Sequence, residues 1–420
     1  MSNKEMNLRA RGMAVTPCGS QTRSKSPSIF PILAEPYVQS ARGATITLAD
    51  GTELIDLLCG MGASILGYGE YNPASVAARR QIEHGIVFGL PHRLEVEVSE
   101  CFTESLIASP ESVRWVKTGS EACSAAMRIA RRATQRNVIV TSHSSYHGWH
   151  DGYTASKELH PGVPEVMTGL IDTFKYNDLE DLDRVLAKHS GDVAAVMMEP
   201  ALFEKPEGFF LNNVREVAHR QGALFVLDEM VLGARLAWSG GQEAFGVKAD
   251  LACYGKAIAG GWPLACVVGS KDLLGLADVV SGTFGGDAAA LAACNAAIAL
   301  YSDPSILRRL HENGKDIQRS MEVGIYGLPA KIVGLDPVWK IVWNGWRADK
   351  MKALWCQELI RRGVLAHPDV TYSSVALGEW DLKNIRIACQ QAGETCRIAF
   401  KADDWSGVQG LAVQPVKLRS

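Results

Sequence analysis

Residues 250–261 read D-L-A-C-Y-G-K-A-I-A-G-G, and the interpretation of the whole chain turns on them. Leu251, Ala252 and Cys253 make the apolar end of a buried strand, after which Gly255 lets the backbone turn tightly. Gly260 and Gly261 leave open space around one long amine, that of Lys256. An amine among small and apolar neighbours loses solvation, which lowers its pKa and frees the neutral, nucleophilic form. Such an amine can form a Schiff base with a carbonyl compound. A Gly-Lys pair by itself more often marks a surface lysine just past a strand, so the other strands have to decide.

Outward from that stretch, short apolar runs alternate with helical patterns from about residue 72, which predicts an α/β fold with a mostly parallel sheet covered on both faces. The runs are 114–116, 137–141, 194–198, 223–227, 251–253 and 263–268; helices are expected at 94–106, 179–189, 214–221 and 288–300. Upstream, 44–57 alternates around Asp50 and Gly51 as a β-hairpin does. Beyond 305 the pattern is that of a smaller α+β domain. Helices are expected at 305–323, at 349–362 with Gly363 as a C-cap, and from about 381. Short strands are expected near 331–333, 338–342 and 364–366, and the tail beyond Asp404 is irregular. The expected division is 1–60 as part of the small domain, 61–304 as the large domain, and 305–420 as the rest of the small one. The G-x-G in C-G-M-G-A-S-I-L-G-Y-G (59–69) lacks the third glycine spacing and the strand–turn–helix setting of a dinucleotide site.

Composition narrows the class. At 420 residues the chain can hold two domains, and a net charge of −3 excludes a general attraction to nucleic acid or anionic membrane. Ten cysteines without a C-x-x-C pair, several inside apolar runs, fit reduced and buried thiols of a cytoplasmic protein. The basic N-terminus (Lys4, Arg9, Arg11) has no apolar segment, so a secretory signal is not expected. No apolar run reaches the roughly 18 residues of a membrane span.

In open parallel sheets ligands sit at the carboxyl ends of strands. After 114–116 comes Lys117-Thr118-Gly119-Ser120-Glu121, opening a helix. Gly119 permits close approach, and the Ser120 hydroxyl with free helix N–H groups can take an anion; a plain N-cap would use the same residues. After 137–141 comes S-H-S-S-Y-H-G-W-H-D (142–151). The spacing of His143, His147 and His150 matches no common zinc pattern, and a Tyr146 ring stacked on a planar cofactor, supported by His147, fits better. Glu199 follows 194–198. Asp228, Glu229 and Met230 follow 223–227. A buried aspartate is costly without a cation, and a protonated pyridine nitrogen is one such partner; a turn or cap role is the alternative. S-G-T-F-G-G-D (281–287) is a further glycine–hydroxyl loop. A phosphate cradle, an aromatic stacker, an acid for a ring nitrogen and a lysine nucleophile together make the inventory that pyridoxal 5'-phosphate (PLP) requires.

In these motifs the chain resembles the class III (ω-type) aminotransferases of PLP fold type I, and among them glutamate-1-semialdehyde aminomutase. The resemblance runs from about residue 16 to about residue 400, and its strongest anchors are T-G-S-E-A (118–122), Y-H-G (146–148), M-E-P (198–200), L-D-E-M (227–230), Y-G-K-A-I-A-G-G (254–261) and S-G-T-F-G-G (281–286). The resemblance implies a large domain with a seven-stranded, mostly parallel sheet and a small domain built from both chain ends. It makes Lys256 the Schiff-base lysine and Asp228 the partner of the pyridine nitrogen. Gly119 and Ser120 would bind the phosphate, Tyr146 would stack on the ring, and Glu199, with His147 and Met230, would line the site. Thr283 would reach the phosphate of a neighbouring subunit, which implies a homodimer. The substrate side departs from the aminomutase pattern. Thr22 and Lys25 stand where that enzyme has its substrate-facing serine and arginine, and Met61 replaces a pocket tryptophan. D-V-T-Y-S-S (369–374), with Tyr372, replaces a glutamate-bearing strand. Together with Arg23, these are the expected substrate contacts, and they point to a different amine or carbonyl. A ping-pong aminotransferase is therefore expected. An aminomutase, an epimerase or racemase, a decarboxylase and a catalytically silent binding protein are its rivals, with a zinc hydrolase built on the histidine loop the weakest.

Overall fold

The computed structural model describes residues 7–143, 145–154, 162–201 and 203–409. Lys4 of the basic N-terminus and the tail from residue 410 lie outside them. Within the described residues the chain forms two compact units, one from residues up to Asn72 together with Arg308 onward, the other Pro73–Leu307.

The unit of the chain ends begins with the hairpin signalled by Asp50 and Gly51. Strands β1 (Val38–Arg42), β2 (Thr45–Leu48) and β3 (Glu53–Asp56) are antiparallel neighbours. The first boundary falls after Asn72, not after residue 60. Tyr68 exchanges backbone hydrogen bonds with Gly43 (3.1 and 2.8 Å), and its hydroxyl donates to Asp56 at 2.6 Å. Those bonds tie 61–72, and with it Met61, to the hairpin.

Seven strands make the sheet of the second unit: β4 (Ser112–Val116), β5 (Val138–Ser142), β6 (Ile171–Phe174), β7 (Val193–Met198), β8 (Leu224–Asp228), β9 (Leu251–Tyr254) and β10 (Ala265–Gly269). Their order is β4-β10-β9-β8-β7-β5-β6. Six are legible as apolar runs. The seventh, β6, is a four-residue edge strand whose Asp172 and Thr173 break the apolar signal. All six residues of the central β7 are buried, which explains its unbroken V-A-A-V-M-M. Strand β10 runs antiparallel to both β9 and β4. The link from Tyr254 to Ala265 is too short for the helical crossover that a parallel neighbour needs. It turns back instead through Gly260 and Gly261, whose φ values are 57° and 101°. The helix Gly119–Thr134 lays Ala122, Cys123, Ala126, Met127 and Ile129 on the sheet. Its small residues let it pack close, and each buried Met or Ile contributes about 1.5–3 kcal/mol.

The remaining strands belong to the first unit. β11 (Ala330–Leu335), β12 (Val338–Trp343) and β14 (Thr371–Tyr372) form a three-stranded sheet, and β13 (Val364–Leu365) adds to β3 in parallel. Helices Ala348–Arg361 and Glu379–Ala402 cover a core that includes Trp339, Trp355 and Ile385. Gly363, at φ 79°, ends the first of these helices as a C-cap glycine should. Among the described residues, no single helix is long and apolar enough to cross a membrane.

Candidate active site

T-G-S-E folds as a capping box. Thr118 Oγ1 accepts from the Glu121 N–H at 3.2 Å, and Glu121 Oε2 accepts from the Thr118 N–H at 2.7 Å. The plain-cap role thus falls to Thr118 and Glu121. The N–H groups of Gly119 and Ser120 have no acceptor among the described residues, and they open the positive end of a 16-residue helix. A Cβ on Gly119 would lie 2.9 Å from Met230 Sδ, and one on Gly255 would lie 2.6 Å from the same atom. The buried Met230 thioether thus occupies the space that a side chain at either glycine would need.

Asp228 ends β8 and pairs with Cys253 of the parallel neighbour β9; Lys256 lies three residues further on. Adjacent strands are about 4.8 Å apart, so the carboxylate and the amine leave the same edge of the sheet. Lys256 is half-buried and has φ 52°, a left-handed conformation that costs a non-glycine residue about 1–2 kcal/mol. Strain of this kind is held in place by the surrounding structure and collects at functional positions. Asp228 is 2% exposed. Its Oδ2 meets His147 Nδ1 at 2.8 Å and the Cys123 thiol at 3.3 Å, and its Oδ1 accepts from the Met230 N–H at 3.0 Å. His147 Nε2 is engaged by Thr141 Oγ1 at 3.1 Å, so the imidazole is fixed at both nitrogens. Cys123, His147 and Asp228 bring one ligand-type atom each within 4.8 Å of one another, and among the described residues His147 is the member of the histidine loop in that cluster.

Glu199 follows β7. Its Oε2 accepts from the Tyr146 N–H at 3.1 Å. Burial first, and then the negative charge of Asp228, push its carboxyl up to about 8, against the pull of the Tyr146 N–H and the Lys256 charge. Tyr146 is half exposed, with its ring edge-on to Tyr153. The loop is seated on the helix by Trp149, whose N–H donates to Ser120 Oγ at 3.3 Å. Gly148, with φ 103°, makes that approach possible, since a Cβ there would lie 2.4 Å from Ser120 Oγ.

These bonds, packing contacts and charge interactions join Gly119, Ser120, Tyr146, His147, Glu199, Asp228, Met230 and Lys256 into one group. Thr283 stands apart. It is exposed and lines a cavity of about 280 Å³ with Phe88, Leu90 and Glu95, and no hydrogen bond among the described residues ties it to Asp228. The substrate-side residues belong to the other unit. Thr22 and Lys25 line a cavity of about 910 Å³ there with Arg11, Phe30, Asp56 and Tyr68. Arg23 is exposed beside them. Met61 sits in a left-handed turn, Cys59–Gly62, with φ values of 48°, 59°, 63° and 82°. Tyr372 is buried on β14, its N–H donating to Leu57 O at 2.8 Å.

Cys123 and Gly148 are participants that the motif reading passes over. Gly148 was visible within Y-H-G; Cys123 carries no local signal. The donor set fits a group with a phosphate at one end and a protonated ring nitrogen at the other. Free N–H groups at a helix start serve the first, and a buried, multiply bonded carboxylate serves the second.

The model of the family described as "Aminotransferase class-III" matches residues 32–323. The glutamate-1-semialdehyde 2,1-aminomutase of Hyperthermus butylicus is 33% identical over 362 residues, covering 79% of this chain and 84% of that protein. The aminomutase of Akkermansia muciniphila is 33% identical over 342 residues, covering 77% and 78%. Among solved structures, the PLP form of the FumI protein of Sphingopyxis sp. MTA144 superposes with a TM-score of 0.87 at 27% identity, covering 95% of this chain and 97% of that one. An omega-transaminase from Sphaerobacter thermophilus shares the fold, with a TM-score of 0.84 at 23% identity and coverage of 94% and 98%.

Proposed function

The chain belongs to the class-III aminotransferase family, whose enzymes work with PLP, and from that premise we propose that it moves an amino group from an amine donor to a small-molecule carbonyl acceptor in two half-reactions, a ping-pong cycle. When bound, PLP supplies an aldehyde that takes up the amine and a pyridinium ring that accepts the electron pair left on the substrate carbon. Lys256 is the amine that ties the cofactor to the chain. Once substrate displaces it, Nζ would be free to take the proton from the substrate carbon and deliver it to the carbon that had carried the cofactor's aldehyde, the reverse transfer serving the second half-reaction. Asp228 holds the proton on the ring nitrogen by its charge. Gly119 and Ser120 receive the phosphate, Tyr146 covers the ring, and His147, Met230 and Glu199 shape its surroundings.

The single observation that carries this reading is the register of β8 and β9, which puts buried Asp228 and strained Lys256 at one sheet edge. We assign Thr283 to the site of a second copy in a homodimer. The exposed apolar side chains of Phe88, Leu90 and Phe284 beside it support a face that another chain covers. Thr22, Arg23, Lys25, Met61 and Tyr372 are the proposed substrate contacts, with Arg23 and Lys25 offering positive charge to an anionic group. Ten free thiols accord with a cytoplasmic location.

The names of the curated relatives favour a second reading, in which the amino group moves within one molecule, as in an aminomutase. One experiment separates the two. PLP-loaded protein is mixed with candidate amines, without any acceptor, and the carbonyl product is measured. An aminotransferase releases one equivalent per site and then stops until an acceptor is added; an aminomutase turns over with a single substrate. Lys256→Ala should abolish both, and near-normal turnover in that variant would contradict the assignment.

A further inference from the structure

We propose that Cys123 is a positioning residue that holds Asp228 in place for the ring nitrogen of the cofactor, and that it does so as a hydrogen-bond donor. The proposal rests on reading Asp228 as the partner of that nitrogen.

Cys123 lies just over one turn into the helix Gly119–Thr134, on the face turned to the sheet, and is 1% exposed. Its Sγ is 3.3 Å from Asp228 Oδ2, the oxygen that also meets His147 Nδ1 at 2.8 Å. The Met230 N–H takes the other oxygen. Three elements thus hold one carboxylate: the helix, the 145–150 loop and the turn that follows the strand. The helix whose first N–H groups are free thereby also fixes the acid at the far end of the proposed ring. A displacement of the helix would move both grips together.

The thiol has to be protonated to donate, and its surroundings keep it so. The neighbouring Cys253 thiol, then burial, then the negative charge of Asp228 push Cys123 well above the ordinary thiol range. Cys253 donates to Ala122 O at 3.5 Å and stands opposite Asp228 in the strand register, so the neighbouring thiol is anchored as well. The titratable groups facing Asp228 are Cys123, His147, Glu199 and Glu229. Of the three groups bonded to Asp228, the thiol is the weakest donor, which lets it orient the carboxylate without drawing much of its charge from the ring nitrogen. Valine would fill the same volume without a proton to give. Serine would keep the proton.

Three proteins separate donation from packing: wild type, Cys123→Val and Cys123→Ser. Each apo protein is titrated with PLP and with 1-deaza-PLP, in which a C–H replaces the ring nitrogen, and both dissociation constants are read by fluorescence. Cys123→Val should weaken PLP binding about 3–10-fold, leave 1-deaza-PLP within about twofold of wild type, and melt as the apo wild type does. Cys123→Ser should bind PLP within about twofold of wild type. If Cys123→Val does not fold, Cys123→Ala takes its place with the same expectation. Equal weakening of both ligands would make Cys123 a packing residue and overturn the proposal, as would no change in either. A wild type that binds the two ligands equally would remove the premise about Asp228, and the proposal with it.

Discussion

Replacing Gly148 by alanine probes how the 145–150 loop is seated. At φ 103° an alanine pays about 1–3 kcal/mol for its backbone alone. Its Cβ would lie 2.4 Å from Ser120 Oγ and 2.8 Å from Ser120 Cα. The hydroxyl can rotate away but the Cα cannot, so the loop or the helix start has to move, at a further cost of about 1–3 kcal/mol. The movement would break the Trp149-to-Ser120 hydrogen bond and carry His147 away from Asp228. Gly191→Ala is the control, because Gly191 has φ 82° and a Cβ there would meet nothing within 4 Å. In urea unfolding of the apo proteins, Gly191→Ala should show the backbone cost alone. Gly148→Ala should lose about 1–3 kcal/mol more than that, and it alone should weaken PLP binding. If the two variants match in stability and in PLP affinity, the loop is not seated through Ser120 and the argument fails.

Lys256→Gly should relieve the left-handed strain at that position. The apo protein is expected to gain roughly 1 kcal/mol in chemical unfolding while all turnover is lost; a less stable variant would show that the φ of 52° is not strained. Glu199 gives a pH test. Its carboxyl rises from 4.5 to about 8, so the folded protein holds this proton more tightly than the unfolded chain does. Its contribution to stability is therefore fully present below pH 4.5 and is lost as the pH rises to about 8, with a slope of at most roughly 1.4 kcal/mol per unit. Glu229, also pushed up to about 8 by burial, shares the window. Apo wild type should lose stability across that range and Glu199→Gln should lose less of it; parallel profiles would place Glu199 in a more solvated setting.

Local physics was enough to read much of this protein from its chain. Apolar runs of strand length announced six of the seven strands, the S/T-x-x-E spacing of 118–121 announced a helix start, and Gly363 announced a helix end. Chemistry-bearing residues at successive strand ends were visible for the same reason: in a parallel sheet every such end faces one way. Tertiary structure decided what meets what. The oxygen of Asp228 is bonded by residues 105 and 81 positions earlier in the chain, and no sequence period spans that distance. The same is true of the Gly43–Tyr68 pairing that moves the unit boundary past Met61, and of the burial of Tyr372 by β12. Backbone preferences act over a few residues and can be read in order, whereas contacts between distant side chains exist only once the chain has closed on itself.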